Sequence, residues 1–458
     1  MQATGRLNRR FVKIGLIALI VCILTSSFAY SSLMHSVTIP TNGTVEVTGT
    51  MALSGSVLDI QAAIDEVAAS GGGTVIIPAG NFSFNLFDGY FDGSRWIGIT
   101  VPGGVNLVGA GDNQTILYCN TSCWRSGGEA QYCDTLVKMV GSNNRPIRLS
   151  GILFQGSVNY SSTLISTYGS EPASNDGGGL VGVWEFGVTN FRIDHCTFLD
   201  FSSKAIYATS KQVLSYAPRE GNCGIIDHCV IDNPYKDIYW NITGYYPLWA
   251  YGIVVEGSGW VDHRWRSLDE LFGQYGPDIV YIEDSSFQRC RHCIAASGQG
   301  SDAYYVVRYC TFKDNVREYY ASFIDLHPGA RGFEAYNNVF IDVACDYRST
   351  TSDYWGKFMN RATTCDSGSG LFYDNVIYNC ASGVNLRTVQ ALNETWRVNG
   401  WWIWNNVYNV EGKIVSVSTG DSPFDITEEA EYFLHSPSDE LGFVYTPYAY
   451  PHPLTLST

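Results

Sequence analysis

The sequence predicts an all-β solenoid, in which short strands form coils that stack along one axis. Three observations predict it: a composition rich in glycine and aromatic residues, a short pattern that recurs along the chain, and a second strand-like pattern that alternates with the first. Of the 458 residues, 16% are charged, 14% are aromatic and 47 are glycine. This composition favours β-structure with many turns over a helical protein.

The recurring pattern reads apolar-x-x-small polar-x-apolar. Its fourth position is held by Cys, Ser or Asn, at Cys196, Cys229, Ser285, Cys310, Asn338, Asn375 and Asn406. Segments of the second pattern lie between these repeats, at an irregular spacing that is typical of coils with loops of variable length. We therefore expect the fourth-position side chains to point inward at one corner and to hydrogen-bond along the stack.

A short helix is predicted at the N-terminal end of the solenoid. Over residues 58–70, Ile60, Ile64 and Val67 have helical spacing, with Asp59 as the predicted N-cap and Gly71–Gly73 as the stop. Such a helix would cover the exposed edge of the first coil.

The segments "DIQAAIDEVAASGGGTVIIPAGNF" and "VNLVGAGDNQTILY" resemble the N-terminal cap and first coils of pectate-lyase-like proteins. The segment "YTPYAYPHPL" resembles the ending of many of these proteins. The resemblance implies a single-stranded right-handed parallel β-helix with a short capping helix over residues 56–458. It implies much less about activity, because this fold hosts lyases, hydrolases, epimerases and inert fibres.

The N-terminus has the features of a secretion signal. Basic residues precede an apolar run from Ile14 to Leu24, and small residues follow it. We predict a signal peptide over residues 1–29, with an uncleaved membrane anchor as the alternative, then a linker over residues 30–55. The remainder is expected to be extracellular or on the cell surface.

Export is consistent with the sequons and the cysteines. Seven N-x-S/T sequons predict glycosylation, at Asn42, Asn81, Asn113, Asn120, Asn159, Asn241 and Asn393. An even number of cysteines follows the signal, as is typical of an oxidising compartment. Cys345 and Cys365 bracket a long insertion between coils and are predicted to pair, and Cys119 and Cys133 are candidates in another loop. Cysteines at the corner position are predicted to be buried thiols.

A strip of polar residues is predicted on one outer face of the middle coils. Aligning the second pattern by its inward apolar residue places Glu256, Asp325, His327 and Arg387 on this face, because side chains alternate along a strand. The alignment gives the strip uncharged ends, including Val415 and Val417.

Two cleavage chemistries can use such residues. A lyase acting on a uronic acid needs a base and a cation, which His327 with Asp325 and an arginine can supply. A glycoside hydrolase needs two carboxyl groups, for which Glu256 and Asp325 are the candidates. The alternative is a solvated face on which polar residues have no catalytic role.

The stretch "LHPGARGFEAYNN" resembles the R-x-P-x-x-R strand of pectate lyases, which a strand ending in Y-N-N follows. Leu326 stands in the place of the first, catalytic arginine, and His327 lies one residue later. Arg331 matches the second arginine, so the resemblance implies that Arg331 contacts substrate.

Calcium and aromatic sites are further candidates. Calcium is common in the family, and Asp194, Asp227 and Glu283 occupy equivalent outward positions that could bind it, with Arg308 as the alternative cation. Trp401 and Trp404 lie in a tryptophan-rich segment and are predicted to stack on sugar rings, although packing also explains them.

We therefore predict an exported polysaccharide-active protein that acts on an acidic glycan, with a lyase favoured over a hydrolase. A non-catalytic glycan-binding or surface scaffold is the alternative. The formal charge of −16 excludes nucleic-acid binding through phosphate attraction, and it requires a local cluster of cations if the glycan is acidic. A membrane contact is expected only if the N-terminal segment stays uncleaved.

Overall fold

The structure is a computed structural model. It describes residues 34–40, 44–119, 134–141, 144–156, 180–210, 222–234, 251–257, 267–276, 279–296, 303–313, 322–327, 330–342, 361–388, 397–408, 413–418, 424–438 and 443–456. The predicted signal segment lies outside these residues.

Three long sheets run the length of the molecule, and successive coils contribute strands to each. Sheet A contains Met34–Pro40, Thr44–Met51, Gly73–Ile76, Val105–Val108, Arg148–Ser150, Thr189–Asp194, Cys223–Asp227, Ile279–Glu283, Tyr304–Arg308, Gly332–Tyr336, Gly368–Tyr373, Val398–Trp404 and Tyr432–Phe433. Sheet B contains Gly80–Phe84, Thr115–Cys119, Leu153–Gln155, Thr197–Leu199, Val230–Asp232, Ser286–Gln288, Thr311–Lys313, Val339–Ile341, Val376–Tyr378 and Val407–Tyr408. Sheet C contains Tyr90–Phe91, Trp96–Pro102, Asp134–Val140, Leu180–Phe186, Lys204–Thr209, Tyr251–Glu256, Ile294–Ala296, Ser322–Leu326, Arg361–Cys365, Ser382–Arg387 and Lys413–Ser418.

Strands of neighbouring coils pair in parallel, apart from two antiparallel pairs at the N-terminal end. The predicted right-handed parallel β-helix is confirmed. Apolar side chains from the three sheets fill one continuous core along the axis. Phe312 stacks between Phe287 and Phe340 at ring-centroid distances of 4.9 and 4.8 Å, close to the spacing of paired strands.

The predicted corner ladder is confirmed. It lies where the chain turns from sheet A to sheet B. Asn338 donates from its backbone N–H to Oδ1 of Asn375, and Asn375 donates in the same way to Asn406, at 3.0 Å each. Cys310 continues the ladder by donating its N–H to Oδ1 of Asn338 at 2.9 Å.

The residue before each ladder position has a left-handed backbone conformation. These residues, with φ between 48° and 58°, are His195, His228, Asp284, Tyr309, Asn337, Asp374 and Asn405. The conformation turns the chain sharply and is most easily adopted by Asn and Asp among residues with a side chain.

The predicted capping helix is confirmed, with a corrected start. It spans Val57–Ala69 and buries Ile60, Ile64 and Val67. Its N-cap is Ser56 rather than Asp59, because the Ser56 hydroxyl accepts a hydrogen bond from the Asp59 backbone N–H at 3.2 Å.

The segment before the helix is not wholly a linker. Met34–Pro40 and Thr44–Met51 form an antiparallel pair, and the second strand pairs with Gly73–Ile76. These strands extend sheet A beyond the first complete coil. Among the described residues, no helix is long and apolar enough to cross a membrane.

The insertion predicted between two coils contains a strand of its own. Arg361–Cys365 lies in sheet C between Ser322–Leu326 and Ser382–Arg387, and pairs with both. The coil alignment from the sequence therefore omitted one strand of sheet C, although it recognised the neighbouring strands of sheets A and B. This omission matters, because the omitted strand passes through the candidate site.

The predicted Cys345–Cys365 disulfide is not formed. Cys365 is a buried thiol that faces the core, and its Sγ lies 2.9 Å from the Ser367 carbonyl oxygen. Cys345 lies outside the described residues, as does Cys133, the predicted partner of the buried Cys119.

The predicted buried thiols at the corner are confirmed for Cys196, Cys229 and Cys310. Each Sγ approaches the backbone carbonyl oxygen two residues earlier, at 3.3, 3.4 and 3.4 Å respectively. Burial raises the pKa of all three thiols well above the usual value, which keeps them protonated. No disulfide joins two of the described cysteines.

Candidate functional site

The candidate site lies on the outer face of sheet C. The pairing register aligns Val254, Ala295, Asp325, Thr364 and Asn385 across five successive coils. In the last coil, Val415 rather than Ile414 pairs with the inward Val384, so Ser416 and Ser418 end the strip, not Val415 and Val417.

Asp325 is the centre of the site. Its Oδ2 lies 2.9 Å from Nε2 of His327 and 3.9 Å from Nε2 of His292, and its Oδ1 lies 3.9 Å from Nη2 of Arg387. The Asp325 side chain is 3% exposed, whereas that of His327 is 31% exposed. The structure thus brings Asp325, His327 and Arg387 together, with the imidazole of His327 at the accessible side.

The charges of the cluster depend on one another. Burial disfavours the ionised form of Asp325, but the hydrogen bond and charge of His327 and the charge of Arg387 outweigh this effect and hold its pKa below the usual value. The negative charge of Asp325 in turn raises the pKa of His327 against the opposing effect of burial. Asp325 therefore remains a carboxylate that orients the His327 imidazole.

Arg387 is held by a second carboxylate. Its Nε and Nη2 donate to the two oxygens of Asp366 at 2.5 and 2.7 Å. Burial opposes the charge of Arg387, yet Asp366 and Asp325 raise its pKa, so the guanidinium stays positive. This two-point contact fixes the plane of the guanidinium beside Asp325.

His292 completes the inner side of the cluster. Its Nδ1 lies 3.1 Å from the Ser322 carbonyl oxygen, which can only accept, so Nδ1 carries the hydrogen. Burial lowers the pKa of His292 to about 3, and the ring is therefore neutral. Unlike His327, it is almost fully buried.

Glu256 and Arg331 lie apart from this centre in different ways. Glu256 is two coils away from Asp325, about 10 Å at the usual strand spacing. Its Oε2 accepts a hydrogen bond from the Tyr207 hydroxyl at 2.7 Å. Arg331 is buried just before the sheet A strand Gly332–Tyr336, and its part in the site stays a prediction.

Trp401 is not a sugar-binding residue, contrary to the prediction. Its side chain is fully buried in the core, and its Nε1 donates to the Gly368 carbonyl oxygen at 3.0 Å. Trp404 is half-buried on sheet A and stacks on Tyr373 at 4.3 Å, with the ring planes 5° apart. It belongs to another face than the Asp325 cluster.

The three predicted calcium ligands are aligned on sheet A as expected, but they have arginine partners. Each carboxylate accepts from a guanidinium, through the pairs Arg148–Asp194, Arg192–Asp227 and Arg308–Glu283. In the part of the chain that the structure describes, no group of three or more His, Cys, Asp or Glu side chains could hold a metal ion. Calcium at these positions stays a prediction, and the guanidinium partners argue against it.

Three members of this face were missed from the sequence: His292, Asp366 and Arg361. Arg361 lies in the strand Arg361–Cys365, most of which the sequence prediction placed in an insertion, and Asp366 follows that strand directly. Arg361 is half-buried and lies in register with Ser322 and Ser382. For Asp366, a register that includes Thr363 opposite Ile324 would have been a sufficient signal.

Comparisons with known proteins show likeness to solved β-helix structures at low identity. An alginate lyase from Paenibacillus sp. str. FPU-7 is 12% identical, covering 81% of this chain and 98% of that chain, with a TM-score of 0.44. A polygalacturonase from Erwinia carotovora ssp. carotovora is 11% identical over 84% and 99%, at 0.48. A tailspike protein of E. coli bacteriophage HK620, in complex with a pentasaccharide, is 13% identical over 81% and 61%, at 0.42.

No protein-family model matches the sequence, and no curated protein matches it. The likeness to solved structures is too distant to define an activity. The function must therefore be argued from the side chains of the site.

Proposed function

We propose that the protein is an exported glycan-active enzyme, a lyase that cleaves an acidic, uronate-containing polysaccharide on the outer face of sheet C. The observation that carries this proposal is the contact of His327 with Asp325, directly beside the charged Arg387. A half-exposed imidazole oriented by a buried carboxylate is suited to proton transfer.

The reaction would be a β-elimination. Because Nε2 of neutral His327 donates to Asp325, its Nδ1 carries the lone pair and accepts the proton from C5 of the uronate. The electron pair left at C5 forms the C4–C5 double bond, and the bond from C4 to the glycosidic oxygen breaks. That oxygen takes up a proton, either from the His327 imidazolium or from water. Arg387 stabilises the negative charge that develops on the uronate carboxylate.

A hydrolase is less well supported by this geometry. It needs one carboxyl group as acid and another as base or nucleophile. Both oxygens of Asp366 accept from Arg387, and Asp325 accepts from His327. Glu256 is the remaining carboxylate of the predicted strip, and it accepts from Tyr207.

The outer face of sheet C also carries local positive charge, which an acidic glycan requires in a chain of net charge −16. Towards the N-terminal coils, Nζ of Lys138 lies 4.1 Å from the ring centroid of Trp184, and Nζ of Lys204 lies 4.9 Å from that of Tyr207. These residues lie on strands in register with those of the Asp325 cluster. We infer that a bound chain extends from His327 in this direction.

Export and glycosylation remain part of the proposal. Asn81 and Asn113 are exposed, so both sequons are accessible to a glycosyltransferase. The other five sequons lie outside the described residues.

The decisive experiment is an activity screen of the purified protein and its His327→Gln variant against a panel of uronate polysaccharides. We expect unsaturated products, detected by ultraviolet absorbance, and a loss of at least about a hundredfold in the variant. His435→Gln is the matched control, because this histidine lies outside the site and contacts Glu429. New reducing ends without unsaturated product would indicate a hydrolase, and binding without cleavage would indicate a scaffold.

A further inference from the structure

Two histidines outside the candidate site form an ordered pair on the surface. His195 and His228 occupy the left-handed corner position of adjacent coils, between sheets A and B. Their rings are parallel within 4°, with centroids 4.8 Å apart. Their side chains are 47% and 48% exposed, so one edge of each ring faces solvent.

Each ring is held from behind by a buried carboxylate. Nδ1 of His195 lies 2.9 Å from Oδ2 of Asp194, and Nδ1 of His228 lies 2.9 Å from Oδ2 of Asp227. Both aspartates are fully buried. Because a carboxylate accepts, each Nδ1 carries a hydrogen, and each neutral ring presents the lone pair of Nε2.

We propose that His195 and His228 form a two-histidine binding site for a divalent transition metal ion such as Zn²⁺ or Cu²⁺. A histidine that binds metal through one nitrogen generally donates its other N–H to a carboxylate or carbonyl, and both histidines have this arrangement. Imidazole nitrogen suits zinc and copper, whereas calcium and magnesium prefer oxygen ligands.

The pair supplies two ligands, and water completes the coordination. At a metal–nitrogen distance of about 2.1 Å, two nitrogens of a tetrahedral site lie about 3.4 Å apart, so the rings must tilt toward each other at their exposed edges. Because the rings are parallel in the metal-free protein, binding requires rotation about their side-chain torsions, of which the terminal one is broad in histidine. In the next coil, Asp284 occupies the same corner position and adds negative charge near His228.

The test is titration of the full-length protein with Zn²⁺ by calorimetry. Asparagine is the replacement of choice, since Asn337 and Asn405 adopt the same left-handed conformation at φ 57° and 53°. We expect His195→Asn and His228→Asn each to weaken binding at this site at least about tenfold, because each removes one of two protein ligands and loss of an outer-shell partner alone costs about tenfold or more. His435→Asn, the matched control, should bind as the unchanged protein does. Equal affinity of the unchanged protein and the double variant would overturn the proposal.

A second measurement separates metal binding from folding. With one equivalent of Cu²⁺, the electron paramagnetic resonance spectrum should show hyperfine coupling to two imidazole nitrogens, reduced to one in either single variant. Thermal midpoints of the metal-free variants should match that of the unchanged protein. A copper spectrum that is identical in the unchanged protein and the double variant would contradict the site.

Discussion

His327 combines two properties that a general base requires. It is accessible from outside, and a buried carboxylate sets both its orientation and its affinity for a proton. The second histidine of the cluster, His292, contrasts with it, because burial lowers its pKa to about 3 and leaves it neutral throughout the physiological range. The environment of each ring therefore assigns the two histidines different roles.

The pH dependence of activity should follow from this environment. Asp325 raises the pKa of His327, and only the neutral ring can accept a proton, so kcat/KM should rise with pH through this raised pKa. Asp325→Asn should move this rise to lower pH. Titration of the His327 ring by NMR should show the same shift, even if turnover is too slow to measure. An unchanged midpoint in the variant would contradict the assignment.

Protonation of His327 should affect stability in the opposite direction to activity. Because the folded state raises the pKa of His327, protonated His327 stabilises the fold below its unfolded pKa, about 6.5. This contribution is lost as the pH rises through the raised value. Activity and this stability term should therefore change in opposite directions over the same pH range.

Part of the site was predicted from the sequence, but the residues that hold Asp325 and Arg387 in place, His292 and Asp366, were missed. Asp325, His327 and Arg387 were found because they follow apolar alternation in recognisable strands. Asp366 was missed because the strand just before it, Arg361–Cys365, has Thr363 at an inward position where the neighbouring coils have Ile324 and Val384. Trp401 was misassigned because an aromatic residue in a strand shows no sign of which face it occupies.

At the scale of elements, the corner between sheets A and B determines how the coils align. Asn375 donates from Nδ2 to the Ala335 carbonyl oxygen and to Oδ1 of Asn406, both at 3.0 Å. It also accepts from the backbone N–H and Nδ2 of Asn338. Its side chain therefore connects three successive coils at a point where water is excluded.

Replacement of Asn375 should destabilise the protein measurably. Asn375→Ala leaves buried donors of Asn338 without an acceptor, and we expect a loss of about 3 kcal/mol in the free energy of unfolding. Asn375→Ser should lose less, since Ser285 fills the equivalent position and accepts from the Cys229 N–H at 3.0 Å.

Denaturant unfolding followed by circular dichroism would measure both variants. Asn405→Gly is the control, because it alters an adjacent corner residue whose left-handed conformation glycine adopts readily. If Asn375→Ala unfolds at the same denaturant concentration as the unchanged protein, the ladder contributes little to stability.

The coil repeat was the part of the fold best predicted from sequence. A side chain that must accept an N–H from the preceding coil and fit inside a tight corner is limited to a few residue types, so the pattern is visible. The register between coils was less predictable, since loops of different length separate the strands. The placement of Ile414 shows this: a shift of one residue exchanged the inward and outward positions of the last coil.

At the scale of the whole molecule, residues 443–456 cover a column of charged side chains on sheet A. The column includes Arg192, Glu283 and Arg308. Nη1 and Nη2 of Arg308 donate to the carbonyl oxygens of Tyr448 and Ala449 at 2.6 and 2.7 Å. Nη1 of Arg192 donates to that of Thr455 at 3.1 Å, and the His452 N–H donates to Glu283 at 3.2 Å. The segment thus crosses several coils and satisfies buried charges in each.

Deletion of residues 443–458 should therefore lower the thermal midpoint by about 10 °C or more, because several buried hydrogen bonds are lost together. The measurement is thermal unfolding followed by circular dichroism. Deletion of residues 457–458 alone is the control and should leave the midpoint nearly unchanged. A full deletion that melts with the unchanged protein would show that the segment is dispensable for stability.

The covering segment also has a consequence for the timing of biosynthesis. The strands that carry Arg192, Glu283 and Arg308 leave the ribosome long before residues 443–456, which provide their partners. A nascent chain can therefore stack its coils while this column still faces water. The charged column should therefore become buried only after residues 443–456 have been translated, even if the coils have already formed.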